Sequence, residues 1–465
     1  MPKVLAVVLV AALFSSDAKT EIASRFLDDI PSDTKSTVIQ PSSSEGLDVA
    51  GLVAAARGAP RMICAYAAQS VAGNSWGDGA DAPATPLGVL VRRETDGRYT
   101  ELSKPDVDLL LESLSSDDPC VREIAVRLVS RRRNANVASE LISRLTSQSP
   151  SMREVAAFGL GMQESPESLD PLIRALRDET VSVRANSAWA LGRIENGRAL
   201  QPLMSLLRDN SEMVRLSAVM AVGRIDSISS AGTLIRVLSS DAAPGVRRAA
   251  AWALGELEAR EAVEALGAVL TRDSDPRVRE MTAWALGNIE SRAATAALLN
   301  AARRDDDDKV RETAVWALAE IEDATSVDAL ASIISSDKST RVRGTAAWAI
   351  GQIRDESRRA PSSLMGLLKD ESEDTRLKAA WALGQIGDSA SIPAIRQALR
   401  VEKSERVNKA LIRALMRSGE RSTAVLSELL ESSDPQVREA AVRGLAGRSS
   451  SNPWPWPQPR PRPFP

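Results

Sequence analysis

The sequence AWALG, at Ala188–Gly192, decides the fold of this chain, because it returns at regular intervals. Three further copies and two close variants, VWALA and AWAIG, follow it. They lie at Ala251–Gly255, Ala283–Gly287, Val315–Ala319, Ala347–Gly351 and Ala380–Gly384. Each is preceded by an arginine at a constant distance, so the repeated unit is longer than the five residues.

The arginines mark this longer unit. They are Arg122, Arg153, Arg184, Arg215, Arg247, Arg279, Arg311, Arg343, Arg376 and Arg438, and Asn408 takes the arginine position of the tenth unit. Successive positions are 30 to 33 residues apart over eleven units. Within one unit, for example 169–194, apolar residues recur at helical spacing in two short segments, neither of which can bury its apolar face alone. The pattern predicts an all-α solenoid of about 11–12 two-helix repeats whose stacked neighbours bury those faces.

The chain divides by composition into five segments. Residues 1–18 are predicted to be a signal peptide, and 19–50 a short helix with a Ser-, Thr- and Pro-rich linker. Residues 51–105 are predicted to be a degenerate capping repeat with a Gly/Pro-rich insertion. The eleven repeats occupy 106–448, and a Pro/Trp-rich tail, predicted to be disordered, occupies 449–465.

The export prediction rests on the first residues. Lys3 precedes an unbroken apolar run of eleven residues, Val4–Phe14, and a small residue ends the segment at Ala18. The run is too short to span a bilayer, which needs about 20 apolar residues. We expect a periplasmic or secreted protein cleaved near Ala18, with no transmembrane segment in the mature chain. The alternative is a buried N-terminal strand or helix.

Composition excludes several kinds of chemistry. The chain has no histidine and only two cysteines. Histidine-based acid–base catalysis, Ser-His-Asp and Cys-His nucleophile systems, imidazole metal sites and a four-cysteine zinc site within one chain are therefore excluded. The net charge of −3 is unlike that of proteins that bind nucleic acid backbones. We expect no cofactor and no nucleic acid partner.

The recurring pattern VRxxAAWALGxI resembles the HEAT repeat family, in particular its phycobilisome-lyase-like bacterial branch, over about 52–448. In that family an aspartate six residues before the arginine forms a ladder of hydrogen bonds and ion pairs along the stack. The matching pairs are Asp178/Arg184, Asp209/Arg215, Asp241/Arg247, Asp273/Arg279, Asp305/Arg311, Asp337/Arg343 and Asp370/Arg376. Serine holds the aspartate position in the first, second and last units, and Glu402 faces Asn408 in the tenth. The ladder is therefore in doubt at both ends and at the tenth unit.

The resemblance implies a right-handed superhelix with first helices on the convex side and second helices on the concave side. It also implies a protein or peptide partner, and so a binding scaffold without catalysis of its own. Two alternatives stay open: a bilin-lyase-like enzyme, and a sensor or partner module of a membrane-bound regulatory peptidase. Deoxyhypusine hydroxylase, another member, needs His-Glu motifs and is excluded by the absence of histidine.

Six tryptophans occupy the position five residues after the arginine. They are Trp189, Trp252, Trp284, Trp316, Trp348 and Trp381. This position points away from the predicted core, so we expect these side chains on the concave side, where the last five would form an aromatic stripe about 35 Å long. Tryptophan is enriched in binding hot spots, which favours a protein-binding stripe. The alternative is that each indole packs flat on the neighbouring repeat.

Four further features have two interpretations each. The glycine that ends AWALG indicates either close approach of two helices or a bend. Cys64 and Cys120 could form a disulfide or remain two buried thiols. The acidic run Asp305–Asp308 could bind a cation or form a solvated loop with one capping aspartate. The tail sequence NPWPWPQPRPRPFP, at 452–465, could be captured by an aromatic groove or remain solvated.

Overall fold

A computed structural model describes residues 49–60, 64, 102–130, 135–225, 227–353, 359–420 and 422–431, and single residues at 435, 438, 439, 441 and 442. The predicted signal peptide, nearly all of the linker, most of the insertion and the tail lie outside the described residues. The boundaries predicted for these segments therefore stay predictions.

Over the described ranges the structure contains 22 α-helices and no strand. Helix α1 is Val49–Ala56. The first helices of the repeats are α2 (Lys104–Ser113), α4 (Ala135–Arg144), α6 (Leu169–Ala175), α8 (Leu200–Leu206), α10 (Ala231–Ser240), α12 (Val263–Arg272), α14 (Thr295–Arg304), α16 (Val327–Ser336), α18 (Ser362–Gly366), α20 (Ile392–Val401) and α22 (Thr423–Leu430). The second helices are α3 (Pro119–Val129), α5 (Pro150–Gln163), α7 (Val181–Ile194), α9 (Glu212–Arg224), α11 (Pro244–Glu256), α13 (Pro276–Asn288), α15 (Asp308–Glu320), α17 (Thr340–Gln352), α19 (Glu373–Ile386) and α21 (Glu405–Arg417). The predicted all-α architecture of two-helix repeats is confirmed.

Local sequence fixes where the second helices begin. Proline is the first residue of α3, α5, α11 and α13, where the missing N–H would have had no partner within the helix. Asp275 caps α13 by accepting a hydrogen bond from the backbone N–H of Arg277 at 2.8 Å. Asp307 caps α15 in the same way, through the N–H of Lys309. No described helix is both long and apolar enough to cross a bilayer.

A row of aliphatic side chains from the first helices forms much of the core. Its members are fully buried and recur once per repeat: Leu172, Leu203, Leu234, Leu266, Leu298, Leu330, Leu364 and Ile395. Full burial of one such side chain stabilises the fold by about 2 kcal/mol. Each of these first helices packs against the second helix of its own repeat, so this buried row contributes to the core of every repeat.

The described residues form two compact units, which we call unit 1, up to Ser230, and unit 2, from Ala231 onward. In unit 1 the second helices α3, α5, α7 and α9 pack side by side in chain order. In unit 2 the second helices α11, α13, α15, α17, α19 and α21 do the same, and we call them the second-helix layer. In both units the contacts between successive second helices are more extensive than those between successive first helices.

Candidate functional site

The second-helix layer carries five of the six repeated tryptophans, Trp252, Trp284, Trp316, Trp348 and Trp381, which we call the Trp line. Trp316 and Trp348 are buried, with 8% and 3% of their surface exposed. Trp252, Trp284 and Trp381 are half-buried, so part of each indole reaches the surface. The Trp line is therefore an interrupted row of partly exposed rings and not a continuous aromatic surface.

Three of these indoles, Trp284, Trp316 and Trp381, pack on the preceding repeat, where the glycine that ends AWALG or AWAIG makes room for them. A Cβ atom added to Gly255 would lie 2.9 Å from Cζ3 of Trp284, and one added to Gly287 would lie 2.7 Å from Cζ3 of Trp316. At Gly351 the corresponding distance to Trp381 is 2.5 Å. These distances are shorter than carbon atoms adopt, so a side chain larger than hydrogen would displace the ring.

The same contacts explain the repeated glycine. A Cβ atom on Gly255 would also lie 2.9 Å from Cα of Ala285 in the next second helix, and one on Gly192 would lie 2.7 Å from Cα of Ala221. Gly255 and Gly192 lie inside uninterrupted helices. Close approach of neighbouring helices, and not a bend, is therefore the reason for glycine at this position.

In unit 1 the aromatic position is occupied by Trp189 and, one repeat earlier, by Phe158. Their rings stack, with centroids 5.3 Å apart and planes 12° from parallel. The guanidinium of Arg193 lies 5.9 Å from the Trp189 ring, and that of Arg127 lies 5.4 Å from Phe158. Arg127 is fully buried and paired with Glu123. Sequence reasoning missed this buried pair, because a Glu and an Arg four residues apart on a helix are usually solvent-exposed.

Exposed charges of opposite sign flank the Trp line. Near the N-terminal ends of the second helices, Arg277, Lys309 and Arg341 form a row that we call the basic row. Just beyond the C-terminal ends lie three exposed glutamates, Glu258, Glu290 and Glu322, which we call the acidic row. The two rows lie at opposite ends of helices about 20 Å long, with the Trp line between them.

Two glutamates lie among the basic side chains of the layer. Burial raises the pKa of Glu280, and the nearby charge of Lys309 opposes this effect only in part. Glu312 is paired with Arg341 of the next repeat and also accepts a hydrogen bond from the hydroxyl of Thr345 at 3.3 Å. The second-helix layer therefore contains two carboxylates that interact with neighbouring side chains, in addition to the exposed glutamates of the acidic row.

The predicted ladder is present, and each arginine uses the two sides of its guanidinium for two repeats. Arg279 donates from Nε and Nη2 to the carboxylate of Asp305 in the next repeat, at 2.7 and 2.8 Å. Its Nη1 donates to the main-chain oxygen of Asp273 in its own repeat, at 2.8 Å. The aspartate six residues before an arginine thus contributes its carbonyl oxygen to that arginine, and its carboxylate to the arginine of the repeat before.

The same ion pair recurs along both units. The Nε or Nη2 to carboxylate distances are 2.6 to 2.9 Å for Arg153/Asp178, Arg184/Asp209, Arg247/Asp273, Arg279/Asp305, Arg311/Asp337, Arg343/Asp370 and Arg376/Glu402. Arg215 donates to the main-chain oxygen of Asp209 at 3.0 Å, and the carboxylate of Asp241 accepts from the N–H of Ala243 at 2.9 Å. These side chains are largely buried, which makes paired charges worth more than they are at an exposed surface.

Where aspartate is missing from the sequence pattern, part of the ladder remains, because serine supplies a main-chain oxygen but no carboxylate. In the first and second units the main-chain oxygens of Ser116 and Ser147 accept from Arg122 and Arg153 at 2.6 and 2.9 Å. In the tenth unit Glu402 accepts both hydrogen bonds from Arg376, at 2.7 and 3.0 Å. Glutamate thus replaces aspartate in the tenth unit, while among the described residues Asn408, in the arginine position, donates only to the main-chain oxygen of Glu402, at 3.3 Å. Ser432 of the last unit lies outside the described residues.

The ladder also changes the acidity of its members. Hydrogen bonds from Arg376 hold the pKa of Glu402 below its ordinary value, although burial opposes the shift. For Asp178 burial alone would raise the pKa, but hydrogen bonds from Arg153 and from the N–H of Thr180 together lower it. Both carboxylates are therefore ionised in the folded chain near neutral pH. Neither of these two carboxylates has the raised pKa of a general acid.

The structure brings Cys64 and Cys120 together as a disulfide, with their Cα atoms 5.6 Å apart. Beside it the carboxylate of Asp118 accepts a hydrogen bond from the N–H of Gly58 at 2.7 Å, and hydrogen bonds from the first turn of α3. The bridge therefore joins the degenerate front repeat to the first regular one. Because Asp118, the N-cap of α3, also contacts the front repeat, its hydrogen bond from Gly58 and the disulfide lie side by side.

The carboxylates of the acidic run have separate partners. Asp305 faces Arg279 of the ladder, Asp307 caps α15, and Asp308 accepts a hydrogen bond from Ser339 at 3.3 Å, while Asp306 is exposed. Such carboxylates do not converge on one point. Within the described ranges, no group of three or more acidic or cysteine side chains has the arrangement of a metal site.

Comparison with known proteins agrees with this architecture. HEAT repeats match residues 107–185, 169–242, 231–308, 295–374 and 361–446. A crystal structure of importin beta, obtained in an ammonium sulfate condition, is similar, with a TM-score of 0.60 at 14% identity over 95% of this chain and 68% of that one. A Kap95p–RanGDP structure gives 0.54 at 16% identity, over 96% and 68% of the two chains. Yeast importin-beta gives 0.51 at 14% identity, over 94% and 65%.

At these identities the likeness to the importins concerns the fold alone. No curated protein matches the sequence. The matched HEAT segments overlap and together extend from 107 to 446, which is well over half of the chain. This chain therefore belongs to the HEAT-repeat family.

Proposed function

We propose that this chain is an exported scaffold, without catalysis of its own, that binds a protein partner across the second-helix layer of unit 2. The observation that carries the proposal is the arrangement of the Trp line between the basic and acidic rows. HEAT solenoids commonly bind proteins, and the family resemblance implies that second helices line the concave side. The proposal makes that side the binding surface.

The first turns of several second helices carry basic side chains, which the helix dipole disfavours, although the N-caps Asp275 and Asp307 and the first-turn Asp308 oppose this effect in α13 and α15. In α11, α13 and α17 the first turn holds no acidic residue and the last turn holds no basic residue. The first helix α12, in the same repeat as α13, has the reverse and favourable order, with Glu264 in its first turn and Arg272 in its last. A charge at the unfavourable end of a helix costs about 0.3–1 kcal/mol.

Local ion pairs account for part of the basic row, since Arg277 is paired with Asp275 at 2.9 Å and Arg341 with Glu312. A charged partner would account for the exposed charges that remain, at Lys309 and in the acidic row. A partner with acidic groups opposite Arg277 and Lys309, and basic groups opposite the acidic row, would find complementary charges on both sides of the layer. The exposed edges of Trp252, Trp284 and Trp381 would supply apolar contact between them. The charges would set orientation and the rate of encounter, and the indoles would contribute most of the affinity.

Two observations support the remaining parts of the proposal. The disulfide between Cys64 and Cys120 is typical of proteins in oxidising compartments, which agrees with export through the predicted signal peptide. Membership of the lyase-like bacterial branch stays a prediction from the repeated pattern. Bilin transfer is an alternative by resemblance alone, and no contact among the described residues favours it.

The test is a comparison of two charge-reversal variants in affinity capture from an envelope extract, with quantitative mass spectrometry. Arg277→Glu with Lys309→Glu changes the basic row, while Arg272→Glu with Arg303→Glu changes exposed residues of the first helices as a matched control. We expect a partner captured by the natural chain to fall about tenfold with the first variant and to remain with the second. Equal capture by both variants would reject the second-helix layer as the binding surface.

A further inference from the structure

We infer that residues 452–465, the tail NPWPWPQPRPRPFP, lie along the Trp line of the same chain and occupy the proposed binding surface until a partner displaces them. The inference rests on the proposed function, because it assigns an intramolecular occupant to that surface. The proposed function and the docking of the tail can be rejected separately, because docking of the tail is measured in the absence of a partner.

The composition of the tail suits this surface. It carries three aromatic residues, Trp454, Trp456 and Phe464, two arginines, Arg460 and Arg462, and no acidic residue. Proline occupies every second position from 453 to 465, so the backbone has few N–H groups and can pair neither as a strand nor as a helix. Such a segment binds through its side chains, and its restricted backbone loses little entropy when it docks.

The second-helix layer offers the complementary groups. Half-buried Trp381 and Trp284 present ring edges that can contact proline and tryptophan. The acidic row lies at the C-terminal ends of the same helices, and its exposed members Glu322 and Glu290 can pair with arginine. The tail has the charge sign that the acidic row attracts and that the basic row repels, which restricts it to one side of the Trp line.

The length of the chain allows the contact. The last described residue, Val442, lies in the second helix of the eleventh repeat. Nine residues, 443–451, can extend about 30 Å. Trp381 belongs to the ninth repeat, and two steps between packed helices amount to about 16–20 Å. Trp454 and Trp456 can therefore reach the ring edge of Trp381.

The spacing within the tail matches the spacing of the glutamates. Arg460 lies six residues after Trp454, which is about 19 Å in an extended polyproline segment. Glu322 lies two repeats before Trp381, again about 16–20 Å along the layer. Arg462 lies about 6 Å further on, toward Glu290 in the repeat before that. A tail that begins at Trp381 and runs back along the array thus places its arginines beside the acidic row.

Tethering makes such an occupant effective. A segment joined by a short linker experiences an effective concentration in the millimolar range, so even weak docking keeps the surface covered. A partner must then exceed this affinity or engage the tail itself. The tail therefore acts as a built-in competitor, and its removal raises the apparent affinity of the surface for the partner.

The experiment uses the full chain with Arg460→Lys and Arg462→Lys, which keep the charge and supply amines for zero-length carbodiimide coupling to carboxylates. We expect cross-links from these lysines to Glu322 and Glu290 at a yield about tenfold higher than to Glu264 and Asp328. These two control carboxylates are also exposed and lie on first helices of unit 2. Adding Trp454→Ala with Trp456→Ala is expected to lower the yield about tenfold, because the indoles anchor the tail.

Two results would overturn the inference. Comparable yields to Glu264 and Asp328 would show that the tail contacts carboxylates without preference. Cross-links that join isotopically labelled and unlabelled chains in a mixture would show that the tail of a second copy is the occupant. If either result appears while the charge-reversal variant still loses its partner, the proposed function stands and only the tail is rejected.

Discussion

At the residue scale, the ladder arginine connects two repeats through one side chain. Arg279 holds the carboxylate of Asp305 in the next repeat and the carbonyl oxygen of Asp273 in its own. The planar guanidinium supplies donors on two edges, which lysine could not reproduce. Asp305 completes the contact by also accepting from the N–H of Asp307, at the start of the next second helix.

Asp305→Ala is therefore expected to destabilise the array by about 3 kcal/mol, because it leaves a largely buried guanidinium without its carboxylate. Asp306→Ala is the matched control in the same loop, since the side chain of Asp306 is exposed and Arg311 uses only its main-chain oxygen. Urea unfolding followed by circular dichroism measures both. Equal stability of the two variants would show that the ion pair contributes nothing beyond the carbonyl contact.

At the element scale, the second helices pack so closely that their interior glycines and alanines decide the spacing. Gly287 lies beneath Trp316 and against Ala317, whereas Gly267, in the first helix α12, has only Cβ of Ala297 nearby, at 3.4 Å. Both glycines therefore lower the intrinsic stability of their helices by a similar amount, but they have different neighbours. The equivalent position of the seventh repeat is occupied by Ala319, which is buried, so the fold accommodates a methyl group in this one repeat.

Replacing these two glycines by alanine separates helix propensity from packing. Gly287→Ala is expected to destabilise by about 1–3 kcal/mol, because the new methyl group would lie 3.0 Å from Cα of Ala317 and displace the indole of Trp316. Gly267→Ala is expected to be neutral or to stabilise by up to about 1 kcal/mol. Amide hydrogen exchange resolves each effect to its own repeat. Stabilisation by both variants would contradict close helix approach as the reason for glycine.

At the scale of the whole molecule, a repeat array is stabilised by contacts between neighbours, so a change at one place acts mainly on adjacent repeats. The disulfide between Cys64 and Cys120 acts on the front of unit 1, where it joins the degenerate repeat to the first regular one. In the chain-entropy account, closing a loop of this length stabilises by up to about 4 kcal/mol.

Cys120→Ser is expected to open the front of unit 1 while leaving the later repeats folded. Limited proteolysis should cleave the variant between residues 49 and 130 many times faster than the natural chain, and leave fragments from unit 2 intact. A reducing agent should reproduce this pattern in the natural chain and add nothing to the variant. Uniform loss of all repeats would contradict local stabilisation.

The sequence by itself determined the repeat and its two-helix composition. The spacing of Arg122, Arg153 and their successors defines the stack, and the absence of histidine excludes whole classes of catalysis. These features depend on helical periodicity and residue chemistry, which are local. The arginine and aspartate of the ladder were recognisable for the same reason, because they recur with the helices that carry them.

Only the tertiary structure decided which groups meet. The spacing within a repeat associates Asp178 with Arg184, yet the carboxylate that Arg184 binds is that of Asp209, because the side chain extends toward the next repeat. Burial of an indole such as Trp316 depends on the glycine it covers in another repeat, about 30 residues away. Contacts between repeats depend on the distance between packed helices, and the sequence of a single repeat does not specify that distance.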